Sequence, residues 1–211
     1  MTLQGYQLAC SRGERHLFTD INFEIVGGDA LRIAGTNGSG KTSLLRLLCG
    51  LAYPTAGEVR WNGQNVRRAR EEFFKELIYL GHANGVKDDL AAWENLAVSV
   101  TLSGHPISRE QAWHALDLLG LGEVGHLPTR ALSQGQRKRV ALARLWLDQP
   151  PKLWILDEPF TALDRDAVNH LCRKLEQHLA AGGMLVYTTH QEITLGTGRM
   201  LTLELGGEAI C

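Results

Sequence analysis

The run Gly35-Thr36-Asn37-Gly38-Ser39-Gly40-Lys41-Thr42 has the spacing G-x-x-x-x-G-K-[ST], which lets a backbone wrap around phosphate. Its glycines allow consecutive N–H groups to close on an anion. Lys41 then reaches the β- and γ-phosphate oxygens, and the Thr42 hydroxyl is placed to ligate Mg²⁺. This chemistry requires a strand before the loop and a helix after it. Ala30 to Ala34 reads as a short buried strand, and Ser43 to Cys49 as a helix stopped by Gly50. The loop therefore lies at a helix N-terminus, where the dipole adds partial positive charge.

Two further clusters extend the chemistry. The apolar run Leu153 to Leu156 ends in Asp157-Glu158, which places two carboxylates at the C-terminal edge of a strand, where open α/β sheets bind ligands. Asp157 suits the direct shell or second sphere of Mg²⁺, and Glu158, one step further on, suits polarisation of an attacking water. Leu132-Ser133-Gln134-Gly135-Gln136 precedes Arg137-Lys138-Arg139 and an apolar helix from Val140 to Leu147. Ser133 reads either as a simple N-cap or as a second anion-binding helix end. One chain does not need two such ends for one triphosphate. Two chains arranged head to tail do.

The elements that must hold these groups alternate in type. Strands are expected at Gln4 to Ala9, Ile21 to Val26 and Glu58 to Trp61, the last running into an Asn62-Gly63 turn. From about Asn84 to Gln149 the pattern is helical. Ser108 and Gln111 form a capping box, followed by Ala112, Ala115, Leu116 and Leu119 on one face and Gly120 as the stop. The chain then returns to a helix with Val168, Leu171, Cys172, Leu175 and Leu179 on one face and a strand at Met184 to Thr188. Such alternation implies a mainly parallel sheet flanked by helices.

Composition narrows the function classes. With 211 residues, 44% of them hydrophobic, the chain can bury a substantial core and is expected to hold one nucleotide site. The 22 Lys and Arg against 23 Asp and Glu leave a formal charge of −1, without the basic excess of a nucleic-acid binder, so no nucleic-acid partner is expected. No apolar run approaches the roughly 18 residues of a membrane span, and no secretory apolar region follows Met1, so a cytosolic position is expected. The four cysteines, Cys10, Cys49, Cys172 and Cys211, have neither C-x-x-C nor zinc spacing and are expected to be reduced.

Taken in order, these motifs resemble the ATP-binding subunit of an ABC transporter. Gly35 to Thr42 resembles the Walker A motif, Leu132 to Gln136 the LSGGQ signature, Leu153 to Glu158 the Walker B strand, Ala162-Leu163-Asp164 the D-loop and His190 the switch histidine. The likeness covers nearly the whole chain. It implies an α/β P-loop NTPase cassette with a mainly parallel sheet core, an antiparallel β portion and a helical subdomain at about 84–149, inserted in a single domain spanning 1–211. It also implies ATP and Mg²⁺ as cofactors. ATP would be held by Gly35, Thr36, Asn37, Gly38, Ser39, Gly40, Lys41, Thr42 and Ser43, with Ser133, Gly135, Gln136 and Asp164 of a second copy closing the site. Lys41, Glu158 and His190 would be catalytic, and Thr42, Asp157 and His82 would face the metal.

Two positions depart from the family pattern. Arg12 stands where the family usually stacks an aromatic ring on adenine, and a guanidinium plane can take that place. His82 stands where the family has a Gln that touches Mg²⁺ and senses the membrane partner. The Gly81-His82 segment, Trp93-Glu94-Asn95-Leu96 and the LSQGQ variant resemble the ATP-binding subunits of the cytochrome c maturation system. That resemblance implies a peripheral subunit on the cytoplasmic face of the bacterial inner membrane, partnered by CcmB with CcmC and CcmD, whose ATP use serves haem delivery to the chaperone CcmE. A transporter subunit for another cargo, or a soluble iron–sulfur assembly ATPase, is the alternative that the same motifs allow.

Overall fold

The computed structural model describes residues 1–148 and 150–206; Gln149, the expected end of the helical segment, and Cys211 lie outside them. The chain runs through β1 (Thr2–Arg12), β2 (Arg15–Val26), β3 (Asp29–Gly35), α1 (Lys41–Leu48), β4 (Ala56–Trp61) and β5 (Gln64–Asn65). It continues through α2 (Arg70–Lys75), β6 (Leu77–Leu80), α3 (Ala92–Leu102), α4 (Arg109–Asp117) and α5 (Gln134–Leu142). It closes with β7 (Leu153–Leu156), α6 (Arg165–Ala180), β8 (Met184–Thr188) and β9 (Arg199–Leu205).

Two sheets result. One is parallel, in the order β6-β7-β8-β3-β9, and the other is antiparallel, in the order β2-β1-β4-β5. The parallel sheet is buried on both faces, and strand alternation sorts its side chains between two cores. Leu153, Ile155, Met184, Val186, Leu31 and Ile33 face α1 and the antiparallel sheet, with Leu44, Leu45, Leu3 and Leu8 opposite. Trp154, Leu156, Leu185 and Tyr187 face the other way, toward α6 and the helical segment. Truncating one of these leucines to alanine costs about 2–5 kcal/mol. On that second side the His178 ring stacks on Trp154 at 3.7 Å, and burial lowers its pKa to about 4.

The segment between β6 and β7 is built from helices, as the pattern from Asn84 onward implies. Ser108 and Gln111 exchange hydrogen bonds at 2.8 and 3.2 Å at the start of α4. In the Trp93-Glu94-Asn95-Leu96 run, Leu96 enters the core, while the buried Asn95 side chain bonds the backbone of Lys87 and Leu90. Asn95 thus ties the Lys87–Leu90 turn to the start of α3, alongside Thr129, which also bonds both carbonyls.

The expected helix from Val140 to Leu147 is divided. The α-helix stops at Leu142 and a 3₁₀ turn spans Ala143–Trp146, setting Trp146 edge-on against His170 of α6 at 5.1 Å. A tightened last turn is common where a helix must end, and Pro150-Pro151 beyond it cannot continue one. The periodicity reading places no strand at β6 or β9. β6 has four residues and β9 seven, and β9 joins the sheet only as an edge beside β3. Cys10, Cys49 and Cys172 are free thiols. Among the described residues no helix is long and apolar enough to cross a membrane.

Candidate active site

The C-terminal ends of β3, β7 and β8 lie side by side, because their registers pair Ala30 with Leu185 and Leu156 with Tyr187. The loops leaving these ends carry the chemistry-bearing groups into one cavity of about 560 Å³. Its wall includes Asn37, Gly38, Gly40, Lys41, Thr42 and Ser43 from the phosphate loop, with Asp157, Glu158 and His190 from the neighbouring strand ends. Arg12 and His82 line it too.

The loop is shaped by what its glycines permit. Gly40 is the N-cap of α1 with φ +103°, and a Cβ there would sit 3.1 Å from Leu17 Cβ and the Phe18 ring. The loop therefore has neither the conformational freedom nor the room for a larger residue. A glycine cap offers no side-chain acceptor, so the first N–H groups of α1 face the cavity without an intrahelical partner. Lys41 Nζ arches back over the loop, donating to the carbonyls of Gly35 at 2.8 Å and Thr36 at 3.1 Å. Ser39 is buried with its hydroxyl unpartnered. Gly35, Thr36 and Ser39 form the floor of the loop rather than the cavity wall.

A hydrogen-bond relay joins loop and strand ends. Thr42 Oγ1 donates to Asp157 Oδ2 at 2.8 Å, Thr188 Oγ1 donates to Asp157 Oδ1 at 2.7 Å, and the Glu158 N–H donates to Thr188 Oγ1 at 2.9 Å. Glu158 has φ +50°, an uncommon conformation for a residue with a side chain. Its Oε1 is buried without a hydrogen bond, and His190 Nε2 lies 3.5 Å away. At that distance the two are close neighbours rather than well-formed hydrogen-bond partners. Glu158 lines the cavity, while this oxygen is covered from solvent and lacks a donor, so a turn of the carboxylate is what would bring it onto a cavity water.

Other expected site residues lie elsewhere. Ser133, Gly135 and Gln136 open α5 away from the cavity, and Asp164 caps α6 by accepting the Ala167 N–H at 2.8 Å. Ser133 forms a full capping box, its hydroxyl accepting the Gln136 N–H at 3.2 Å while Gln136 Oε1 accepts the Ser133 N–H at 2.9 Å. The start of α5 packs against the Ala162 segment, where a Cβ on Gly135 would sit 2.9 Å from the Ala162 carbonyl. His82 is exposed, and among the described residues no three His, Cys, Asp or Glu side chains gather as a metal-binding group.

Three residues that the motifs do not single out stand in or beside this site. Arg15 pairs with Arg12 across the β1–β2 hairpin and aims its guanidinium at the loop, 3.7 Å from a Cβ placed on Gly38. Thr188 connects the two acids. Lys138, 6% exposed, donates to the Glu158 carbonyl at 2.9 Å, and burial lowers its pKa against the opposing pull of Asp157 and Glu158. None of the three left a signal of its own in the sequence; Lys138 appears there only within the basic run Arg137-Lys138-Arg139.

No covalent nucleophile is prepared here. The cavity offers an anion cradle on one side and the acids Asp157 and Glu158 on the other, which is the layout of an ATP-binding cassette. Residues 18–161 match the ABC transporter family. The chain is 50% identical to the cytochrome c biogenesis ATP-binding export protein CcmA of Nitrosospira multiformis, over 97% of this chain and 98% of that protein. It is 49% identical to the same protein of Haemophilus ducreyi, over 93% of each. A dimeric ATP-binding cassette solved in a post-hydrolysis state with ADP and Pi superposes with a TM-score of 0.83 at 23% identity, covering 97% of each chain. The chain belongs to the ABC transporter family, in the group of cytochrome c biogenesis ATP-binding proteins.

Proposed function

We propose that this chain hydrolyses ATP as one of two identical cassettes and that the work released serves haem handling in cytochrome c maturation. The observation that carries the catalytic reading is the relay Thr42–Asp157–Thr188–Glu158, which joins the phosphate cradle to a buried carboxylate oxygen with no hydrogen-bond donor. The loop N–H groups and Lys41 hold the phosphates, with Arg12 and Arg15 at the rim of the cavity. Glu158 orients a water and takes its proton as the water oxygen attacks the γ-phosphorus. The bond to the β-phosphate oxygen breaks and ADP leaves. His190, beside Glu158, holds the carboxylate and the transferred group in line.

The oxygen donors fit Mg²⁺. Thr42 Oγ1 and Asp157 are hard ligands at the mouth of the loop, and the absence of a larger ligand cluster among the described residues suits an ion that takes its remaining ligands from phosphates and water. Bound there, Mg²⁺ neutralises charge on the phosphates. His82 faces the same cavity and would touch this shell through water.

Ser133, Gly135, Gln136 and Asp164 serve the site of the other copy. Support comes from their position outside the cavity and from fold neighbours solved as dimers. Export and cytochrome c biogenesis come from the names of relatives at about half identity. On that reading the chain sits on the cytoplasmic face of the bacterial inner membrane, bound to CcmB with CcmC and CcmD, and its cycle frees haem-loaded CcmE. Cells whose only copy carries Lys41→Ala should lack mature c-type cytochromes, with haem stalled on the membrane chaperone. The measurement is haem-stained cytochrome in membrane and periplasmic fractions. Normal amounts, with the variant shown to be ATPase-dead, would remove the maturation assignment and leave the ATPase.

A further inference from the structure

We propose that Lys138 is a positioning residue that holds Glu158 in its left-handed backbone conformation and ties that geometry to the helix beginning at Ser133. The proposal rests on the reading of Glu158 as the residue that activates water.

Lys138 is buried, with 6% of its surface exposed, and its ammonium donates to the Glu158 main-chain carbonyl at 2.9 Å. An ammonium removed from water is costly unless its donors are used, so its placement on one carbonyl implies a specific interaction rather than a solvated surface charge. The carbonyl it has chosen belongs to a residue under backbone strain. Glu158 sits at φ +50°, a region that side chains other than Gly, Asn and Asp seldom enter, and such a conformation persists only where the surroundings over-determine it.

Both peptide groups of Glu158 are held. Its N–H is fixed by Thr188 on β8, and its carbonyl accepts from Lys138 on α5 at 2.9 Å and, at the longer distance of 3.4 Å, from the Thr161 N–H of its own loop. The first clamp comes from inside the sheet. The second comes from the helix whose N-terminus is Ser133, and Lys138 lies just over one helical turn beyond that cap. The start of the same helix also presses on the segment after Glu158, where Gly135 closely approaches the Ala162 carbonyl. A shift of α5 therefore moves the Glu158 carbonyl directly. If Ser133 binds the nucleotide of the other copy, occupancy of that site reaches this chain's own Glu158 through one helix and one ammonium. Lys138 touches no reacting atom in this arrangement and acts only through Glu158.

The test is steady-state ATPase and ATP-analogue binding on the full-length chain in the complex purified from membranes. Lys138→Met keeps the length and removes the donor, whereas Lys138→Arg keeps a cationic donor. The expected result is a fall in kcat of about 10- to 100-fold in Lys138→Met, the scale of a small misplacement of a catalytic group. The KM for ATP and analogue affinity should stay within about twofold, since the phosphate cradle is intact. Lys138→Arg should recover most of kcat. Added to Glu158→Gln, Lys138→Met should lower the residual rate no further, because the two act as a unit. If Lys138→Met does not accumulate as folded protein, Lys138→Gln, polar but too short to reach, should show the same loss of kcat at constant KM.

Full kcat in Lys138→Met or Lys138→Gln, or a loss that appears equally in KM, would overturn the clamp. So would an Arg variant as slow as the Met variant. Wild-type turnover in Glu158→Gln would instead remove the underlying role of Glu158, so the two failures are distinguishable.

Discussion

Two helices of this chain begin at polar, glycine-bearing loops, and their first turns are built in opposite ways. The N-cap of α1 is Gly40, which has no side chain to offer, and the helix that follows is anchored in the core by Leu44, Leu45, Leu47 and Leu48. The N-cap of α5 is Ser133, whose hydroxyl and backbone N–H are both engaged by Gln136. The first end is held open by its own backbone and fixed from behind by packing. The second has its Ser133 and Gln136 N–H groups satisfied locally. An open end can receive an anion without rearranging, whereas a capped end must first exchange a bond between Ser133 and Gln136 for one to the ligand. The chain thus carries a preformed cradle and a closed latch. Beside the cradle stands the Glu158 carboxylate.

The strongest way to break this comparison is to remove that acid. Glu158→Gln should hydrolyse ATP about 10²- to 10⁴-fold more slowly while still binding it, the range for a lost general base. Single-turnover hydrolysis alongside equilibrium binding checks this, and unchanged turnover would mean that the cradle has no chemistry of its own beside it.

A smaller effect tests whether the latch serves a different chain. Lys41→Ala and Ser133→Ala chains should each be inactive alone. Mixed and allowed to exchange, they should regain roughly a quarter of the wild-type sites, because half of randomly paired two-fold dimers are mixed and each has one intact composite interface. ATPase of the mixture, with heterodimers counted by differential tagging, is the measurement. No recovery at any ratio would place both ends in the service of a single chain.

The smallest effects should separate the two caps by stability. Ser133→Ala removes a side-chain cap and should cost about 1 kcal/mol, seen as a small drop in the unfolding midpoint. Gly40→Ala should cost more, on the order of 1–3 kcal/mol, because it adds a Cβ against Leu17 and Phe18 at a positive φ. Equal shifts in thermal unfolding would mean that the open cap is less constrained than its geometry implies.

Much of the parallel core was legible because its causes are local. The loop between Gly35 and Thr42 is recognisable from spacing alone, since a strand, a run of small residues and a helix start are all written within a short stretch. The continuous apolar run of Leu153 to Leu156 and the single apolar face of α6 are likewise properties of neighbouring residues. The capping box at Ser108 follows from residues three apart, whereas Ser133, read as a simple N-cap or an anion-binding end, proves to close a full box with Gln136. Where local rules compete, the reading was less complete. Val140 to Trp146 looks uniformly helical, yet the last turn tightens because Trp146 must meet His170 and the chain must reach Pro150. β6, with four residues, is too short for periodicity to mark, whereas β9 was missed although it alternates the more buried Leu201, Leu203 and Leu205 with exposed residues.

By itself, the sequence determined which groups could bind phosphate and polarise water, because those capacities belong to residue types at short spacing. Only the tertiary structure decided which of them meet. Thr188 and Lys138 carry no motif, and they reach Asp157 and Glu158 from a neighbouring strand and from a helix on the inserted segment. Arg15 is one more exposed arginine until the β1–β2 hairpin turns it toward Gly38. The physical reason is the same in each case. Pattern along a chain encodes which face of an element is buried, but strand order and helix placement set the neighbours across elements, and those neighbours hold the Glu158 backbone in its strained conformation.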